Sequence, residues 1–360
     1  MRVVLAHDWL NGMRGGEKCL EVLCELYPPS PLLALFYQPD KVSRSIVSHP
    51  LTLSWLQRMP GITKHYRHYL PLYPAAVSSL RVPECDVVVS TSHCVAKGVR
   101  KPTGAKHFCY CFTPMRYAWG FFDEYFGGRS AVERAIIRRI IDRIRTWDLS
   151  ASQGVDVFAA ISEHVRQRIR RCYNRDATVI YPPVDTDFYT PDFRTTRSDY
   201  YLVVSALVPY KRVDLAIEAF NKNGRPLWVV GEGPERAKLE KMAGANVRFL
   251  GWKSDDELRT YYRRARALLF PGEEDFGIVP LEMNACGGPV IAYGAGGALE
   301  TIQDGKSGIF FAKQTVEDLL AAVETFEGQR FYAELIRQSA IRFSRQRFRL
   351  EIDKAIRGVI

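Results

Sequence analysis

The sequence predicts an α/β protein made of two doubly wound parallel sheets that face a central cleft. Three observations carry that reading. Short apolar runs alternate with amphipathic stretches along nearly the whole chain, the pattern of strands joined by helical crossovers. The alternation breaks once, at residues 181–199, where Tyr181-Pro182-Pro183-Val184-Asp185, Pro191 and a polar stretch to Asp199 suit a linker. The length, 360 residues, suits two domains of ordinary size.

In the first half, residues 3–6 read as a buried strand and 15–26 as a helix entered through a glycine turn. Strands follow at 86–90 and 106–112, then a long Arg-rich helix over about 130–147, then a strand at 156–160. Ser162, with Glu163 and Gln167 nearby, marks the start of a further helix. The second half begins with a strand within 200–207. Helices at 214–221, 235–243, 255–265 and 278–285 alternate with strands at 226–231, 247–250, 267–271 and 289–292. From about 317 the chain reads as helical and rich in Arg.

Composition narrows the function classes. Hydrophobic residues make up 47% and charged residues 25%, which excludes wholesale disorder. No apolar run approaches the roughly 18 residues of a membrane span. The first apolar run stops at His7-Asp8, too early for a secretory signal, so a cytoplasmic location is expected. The eight cysteines form no pair of Cys-x-x-Cys knuckles and read as buried free thiols, with no metal site expected. The formal net charge of +10 leaves nucleic acid, anionic lipid or a phosphorylated substrate open as partners. No zinc finger, RNA-binding aromatic motif or helix-turn-helix accompanies the charge, which weighs against nucleic acid.

The segment Pro271-Gly272-Glu273-Glu274-Asp275-Phe276-Gly277-Ile278-Val279-Pro280-Leu281-Glu282 follows a strand and opens a helix. A helix N-terminus presents unpaired N–H groups and partial positive charge, which suit a phosphate. Carboxylates such as Glu274 and Glu282 can accept hydrogen bonds from sugar hydroxyls. The same residues also read as solvated loop acids and an exposed helix residue, and residue types alone do not separate the two.

Glu274 and Glu282 form the E-x7-E pattern of the family 4 retaining glycosyltransferases, and the chain resembles that family along nearly its whole length. The resemblance extends to Val208-Pro209-Tyr210-Lys211-Arg212-Val213-Asp214, to Val230-Gly231-Glu232-Gly233-Pro234-Glu235, to Val247-Arg248-Phe249-Leu250-Gly251, and to 285–292 followed by Gly296-Gly297 and Glu300. Gly15-Gly16-Glu17-Lys18 looks like the family's glycine loop. Thr113-Pro114-Met115-Arg116-Tyr117-Ala118-Trp119 and residues 181–185 resemble the branch of O-antigen mannosyltransferases.

The resemblance implies the GT-B fold: two Rossmann-like domains, with the final helix crossing back to the first. Residues 1–183, completed by about 344–360, would be the acceptor-side domain. Residues 184–199 would be the linker and 200–343 the nucleotide-sugar domain. Carried over residue by residue, Lys211, with Arg212 beside it, would meet the donor diphosphate. Glu274 would be the catalytic carboxylate at the donor sugar, and Glu282 would hold the ribose. The loop with Phe276, Gly277, Ile278 and Val279 would give backbone N–H groups to the diphosphate, and Gly15 and Gly16 would let backbone approach the donor.

The implied reaction is transfer of mannose from GDP-mannose to a lipid-linked or polysaccharide acceptor in bacterial surface-glycan (lipopolysaccharide) biosynthesis, with retention at the anomeric carbon. It needs no cofactor beyond the nucleotide-sugar substrate, and no metal, because Lys211, Arg212 and a helix N-terminus supply the positive charge. Two positions depart from the pattern: Ala206 stands where the family has Arg, and Phe112 where the branch has His. His93 or Arg116 could compensate, which makes His93 a second catalytic candidate. A sugar-nucleotide 2-epimerase and a non-catalytic donor-binding subunit are the alternatives.

The helix over 134–147 interleaves Arg134, Arg138, Arg139, Arg143 and Arg145 with Ile136, Ile137, Ile140, Ile141 and Ile144. That pattern fits first a core-packed helix with a solvated Arg face, and second a peripheral helix lying on an anionic membrane surface.

Overall fold

The computed structural model describes residues 1–360, the side chain of residue 124 excepted. The chain forms two compact units, Met1–Pro183 with Gln346–Ile360, and Val184–Arg345.

In the first unit seven parallel strands run β1 (Val3–His7), β2 (Leu32–Ala34), β3 (Leu51–Leu53), β4 (Val87–Ser92), β5 (Lys106–Cys111), β6 (Val157–Ala160) and β7 (Ala177–Val179). Their spatial order is β3-β2-β1-β4-β5-β6-β7. β1 and β4 are buried throughout, which is why both read as near-continuous apolar runs rather than alternating ones. The order reverses between β1 and β4, and the carboxyl ends of such a pair border the crevice where doubly wound sheets bind ligands.

The α-helices of seven residues or more are numbered in chain order. The first unit holds α1 (Gly15–Leu26), α2 (Ala131–Gln153) and α3 (Glu163–Tyr173). Ser130 opens α2 through a capping box with Glu133, and the Ser162 hydroxyl accepts the Val165 N–H at 3.0 Å to open α3. α2 outruns the expected 147 because nothing between Trp147 and Gln153 breaks a helix; Gly154 ends it.

The second unit holds six parallel strands: β8 (Tyr201–Val204), β9 (Leu227–Val230), β10 (Val247–Gly251), β11 (Leu268–Phe270), β12 (Val290–Tyr293) and β13 (Gly308–Phe311). The order is β10-β9-β8-β11-β12-β13, so this sheet reverses between β8 and β11. Its helices are α4 (Val213–Asn223), α5 (Arg236–Met242), α6 (Asp255–Arg264), α7 (Ile278–Ala285), α8 (Val316–Glu327) and α9 (Ala333–Ile341). The last helix, α10 (Arg345–Arg357), lies with the first unit from Gln346 onward. There Phe348 meets the Tyr110 ring at 5.5 Å, and Tyr27 donates to Asp353 at 2.7 Å.

Residues 184–199, read in sequence as a linker, are packed into the second unit. Tyr189 is buried against Tyr262, with ring centroids 5.8 Å apart. Arg337 donates to the carbonyls of Thr186 and Tyr189, each at 2.9 Å. All eight cysteines are free thiols, and seven are buried. Among the described residues, no helix is long and apolar enough to cross a membrane.

Candidate functional site

At the switch point of the second sheet, the loop after β8 carries Lys211 and the loop after β11 carries Glu274; their side chains form an ion pair. Lys211 is the last residue of a tight 3-10 turn, Pro209–Lys211, and Arg212 follows in the left-handed region at φ 52°. The Arg212 guanidinium leans on Asp214 at 3.3 Å. Arg212 thus ends one turn and stands at the N-cap position of α4.

The Glu274 loop is held from two directions. Its carbonyl accepts the Gly297 N–H at 2.8 Å, and Gln314 donates to the Pro271 carbonyl at 2.7 Å. Gly297 approaches so closely that a Cβ there would lie 2.3 Å from the Phe276 Cα. With rigid backbone beneath it, the pair itself stays reachable: the side chains are 16% and 20% exposed. A ligand can therefore displace either partner without unfolding the loop.

Gly277 caps α7 at φ 100°, a conformation that favours glycine, and aims the first N–H groups of the helix at the loop. Phe276 is buried and meets the Phe343 ring edge-on at 5.8 Å. Ile278 and Val279 form the first turn of α7. Glu282 is buried, not an exposed helix residue; its carboxylate accepts from the Tyr262 hydroxyl at 3.0 Å. Burial, then the neighbouring Glu282 charge, pushes the Tyr262 hydroxyl far above its usual range, so it stays a donor.

At the switch point of the first sheet the organising group is Asp8, which sequence reasoning missed. It follows β1 directly and is fully buried. Its two oxygens accept four backbone N–H groups after β4: His93 at 2.7 Å, Cys94 at 3.0 Å, Val95 at 2.6 Å and Ala96 at 2.7 Å. The His93 Nδ1 lies 3.0 Å from the same carboxylate. Burial alone would raise the Asp8 pKa, but attraction and hydrogen bonds from His93, with His7 further off, outweigh it and hold the carboxyl well below the usual range. A carboxylate directly after a buried strand was the available signal.

His93 is 36% exposed and sits edge-on to Trp9, with ring centroids at 4.6 Å. Gly15 and Gly16 open α1, with no hydroxyl cap before them. A Cβ on Gly16 would meet the Phe112 ring at 3.2 Å, so Phe112 packs on the helix start and between His7 and His93, each ring centroid 6.4 Å away. Glu17 is buried beside His7, 3.9 Å apart. The structure thus groups Lys211, Arg212, Phe276, Gly277, Ile278, Val279, Glu274 and Glu282 within the second unit, and Gly15, Gly16 and His93 within the first.

The expectation of metal independence passed over one Asp-x-Asp triplet, Asp185-Thr186-Asp187. It builds a turn, in which the Asp185 carboxylate accepts the Phe188 N–H at 2.9 Å. No cluster of three or more His, Cys, Asp or Glu suited to a metal occurs among the described residues.

Residues 190–343 match the model of the family Glycosyl transferases group 1. That match lies within the second unit. The chain is 31% identical over 222 residues to the GDP-mannose-dependent alpha-(1-6)-phosphatidylinositol monomannoside mannosyltransferase of Mycobacterium tuberculosis, covering 53% of this chain and 55% of that protein. It is 31% identical over 160 residues to the D-inositol 3-phosphate glycosyltransferase of Mycobacterium avium, covering 39% and 38%. The chain spans about half the length of these first curated relatives, or less.

Among solved structures, Anabaena HepE in complex with UDP matches at TM-score 0.71 and 16% identity, covering 99% of this chain and 100% of that one. Sucrose-phosphate synthase from Thermosynechococcus elongatus matches at TM-score 0.73 and 15% identity, covering 99% of each chain. The fold is that of the GT-B glycosyltransferases.

Proposed function

We propose that this protein is a retaining glycosyltransferase that moves mannose from GDP-mannose to a lipid-linked or polysaccharide acceptor in bacterial surface-glycan biosynthesis. The observation that carries the reading is the Lys211–Glu274 pair at the second switch point, beside the N-terminus of α7. Without ligand the two side chains neutralise one another. An entering diphosphate draws Lys211 to itself and leaves the Glu274 carboxylate for the sugar. Arg212 and the N–H groups of Gly277, Ile278 and Val279 add positive potential for the phosphates, in place of a divalent ion. Glu282, fixed by Tyr262, is assigned to the ribose hydroxyls.

In the reaction the bond from the anomeric carbon to the diphosphate oxygen breaks and the acceptor oxygen bonds on the same face. The departing phosphate oxygen takes the acceptor proton. Glu274 stabilises positive charge at the anomeric carbon, and no covalent sugar–enzyme bond is needed. In the first unit His93 is assigned to substrate hydroxyls, with Asp8 as its positioning residue. Mannose and the guanine nucleotide are supported by the mycobacterial mannosyltransferase relatives, and retention by the E-x7-E resemblance.

A second reading, a chain that binds nucleotide sugar without transfer, is favoured by Phe112 and Ala206. Incubation with a panel of nucleotide sugars and extracted lipid-linked oligosaccharide separates the two. Incorporated mannose with one GDP released per sugar supports the transferase. Donor binding with no incorporation supports the second reading. Release of free nucleotide or epimerised donor without acceptor would instead point to an epimerase.

A further inference from the structure

Between Asp40 and Glu84 the sequence holds six lysines and arginines, three histidines and no carboxylate. In a chain where a quarter of residues are charged, this is a long one-signed stretch. It folds into short pieces at the carboxyl side of β3: Trp55–Arg58, Ile62–His65 and Tyr66–Leu72. These pack in succession, and the last packs against α2. Their inward residues Met59, Tyr66 and Leu70 join the same apolar cluster as Ile137, Ile140 and Ile144 of α2. Facing out are Arg58, Lys64, His65, Arg67 and His68, together with Trp55 at 40% and Leu72 at 38% exposure.

α2 itself has two flanks of different character. Arg134, Arg138 and Arg145 lie on one flank and are engaged within the fold. Arg134 pairs with Asp123 at 2.5 Å, Arg138 covers the Phe122 ring at 4.5 Å, and Arg145 pairs with Asp142 at 3.3 Å. Val132, Ile136, Arg139 and Arg143, at helical spacing, form the other flank. Val132 and Ile136 are 71% and 59% exposed, and the strip bears no carboxylate.

We propose that the first unit docks on an anionic membrane surface through this α2 strip and the adjoining carboxylate-free segment around Lys64 and Arg67. Cations alone would suit any polyanion. Exposed branched aliphatic side chains beside them, with Trp55 on the neighbouring turn, fit a lipid interface, where apolar groups enter the headgroup boundary and cations meet phosphates. Nucleic acid offers no site for Val132 and Ile136. The surface is distinct from the Lys211–Glu274 site, and the contact needs no donor, so it stands or falls independently of the transfer reaction.

The test is co-sedimentation of the full chain with vesicles of phosphatidylcholine alone or mixed with phosphatidylglycerol, at near-physiological salt. The protein binds the mixed vesicles and not the neutral ones, and added salt releases it. Each cation near an anionic surface contributes about fivefold. The quadruple variant Lys64→Gln, Arg67→Gln, Arg139→Gln, Arg143→Gln therefore binds at least about a hundredfold more weakly. Val132→Ser with Ile136→Ser weakens binding with the charge unchanged. Lys238→Gln with Lys306→Gln, on the second unit, leaves it unaltered. Thermal melts of each variant check the fold. No sedimentation with anionic vesicles, binding insensitive to both patch variants, or loss of vesicle binding to an equal concentration of duplex DNA phosphate would overturn the proposal.

Discussion

The two units share one topology and use its switch point in opposite ways. In the second, charges of opposite sign sit on different loops, partly exposed and paired with each other. In the first, the carboxylate is fully buried and holds its loop by four backbone N–H groups. An exchangeable pair suits a site whose ligand brings its own charge, because the ligand replaces one partner. A locked carboxylate suits a site that must present one side chain, His93, in one orientation. The same place in the topology therefore carries a partly exposed ion pair in one unit and a locked carboxylate in the other.

The comparison can be broken most severely by neutralising the exchangeable pair. Glu274→Ala should lower kcat by about 10²–10³-fold. It should leave the thermal melt within about 1 kcal/mol of the parent, since the pair is partly solvated. Unchanged turnover would remove Glu274 from the chemistry.

The locked side should respond in stability. Asp8→Asn leaves donors of the 93–96 loop poorly matched inside the unit and should cost about 3 kcal/mol in a denaturant titration. The pH dependence has a definite sign. The folded Asp8 pKa lies below its unfolded value near 4, so its stabilisation is complete above that value. It is lost as pH falls toward the folded pKa, at up to about 1.4 kcal/mol per pH unit. The deficit of Asp8→Asn should thus shrink in acid; a pH-independent deficit would contradict the ionised state.

Smaller effects sharpen the donor side. Gly277→Ala forces a Cβ at φ 100° and should destabilise by about 1–2 kcal/mol while weakening nucleotide binding. Tyr262→Phe removes one hydrogen bond to Glu282 and should cost about 1 kcal/mol in a melt. It should also weaken GDP binding a few-fold; equal affinity would separate Glu282 from the ribose.

Most of the fold was legible because strands such as β1 and β4 open on unbroken apolar runs and helices such as α1 bury one apolar face. What escaped was short. β2, β3 and β7 have three residues each and β13 four, and each becomes a strand by pairing with a parallel neighbour: β2 with β1, β3 with β2, β7 with β6 and β13 with β12. The 184–199 segment looked like a linker because prolines and polar residues resemble one; Tyr189 and the Arg337 contacts dock it. At the site, Lys211 and Glu274 were legible as motif positions. Their pairing was not, since it joins loops 63 residues apart in number but adjacent across β8 and β11. Asp8 was hidden because its role depends on the β1–β4 register, which sets Ala6 beside Ser90 and His7 beside Thr91.

The central claim, that the Lys211–Glu274 pair opens to receive a nucleotide diphosphate sugar, is tested most directly by calorimetric titration of GDP-mannose into the parent protein and Lys211→Gln, without added metal. The account predicts binding to the parent and an affinity about 10–100-fold lower for the variant, with an unchanged melt in the absence of ligand. Equal affinities for the two proteins would contradict it.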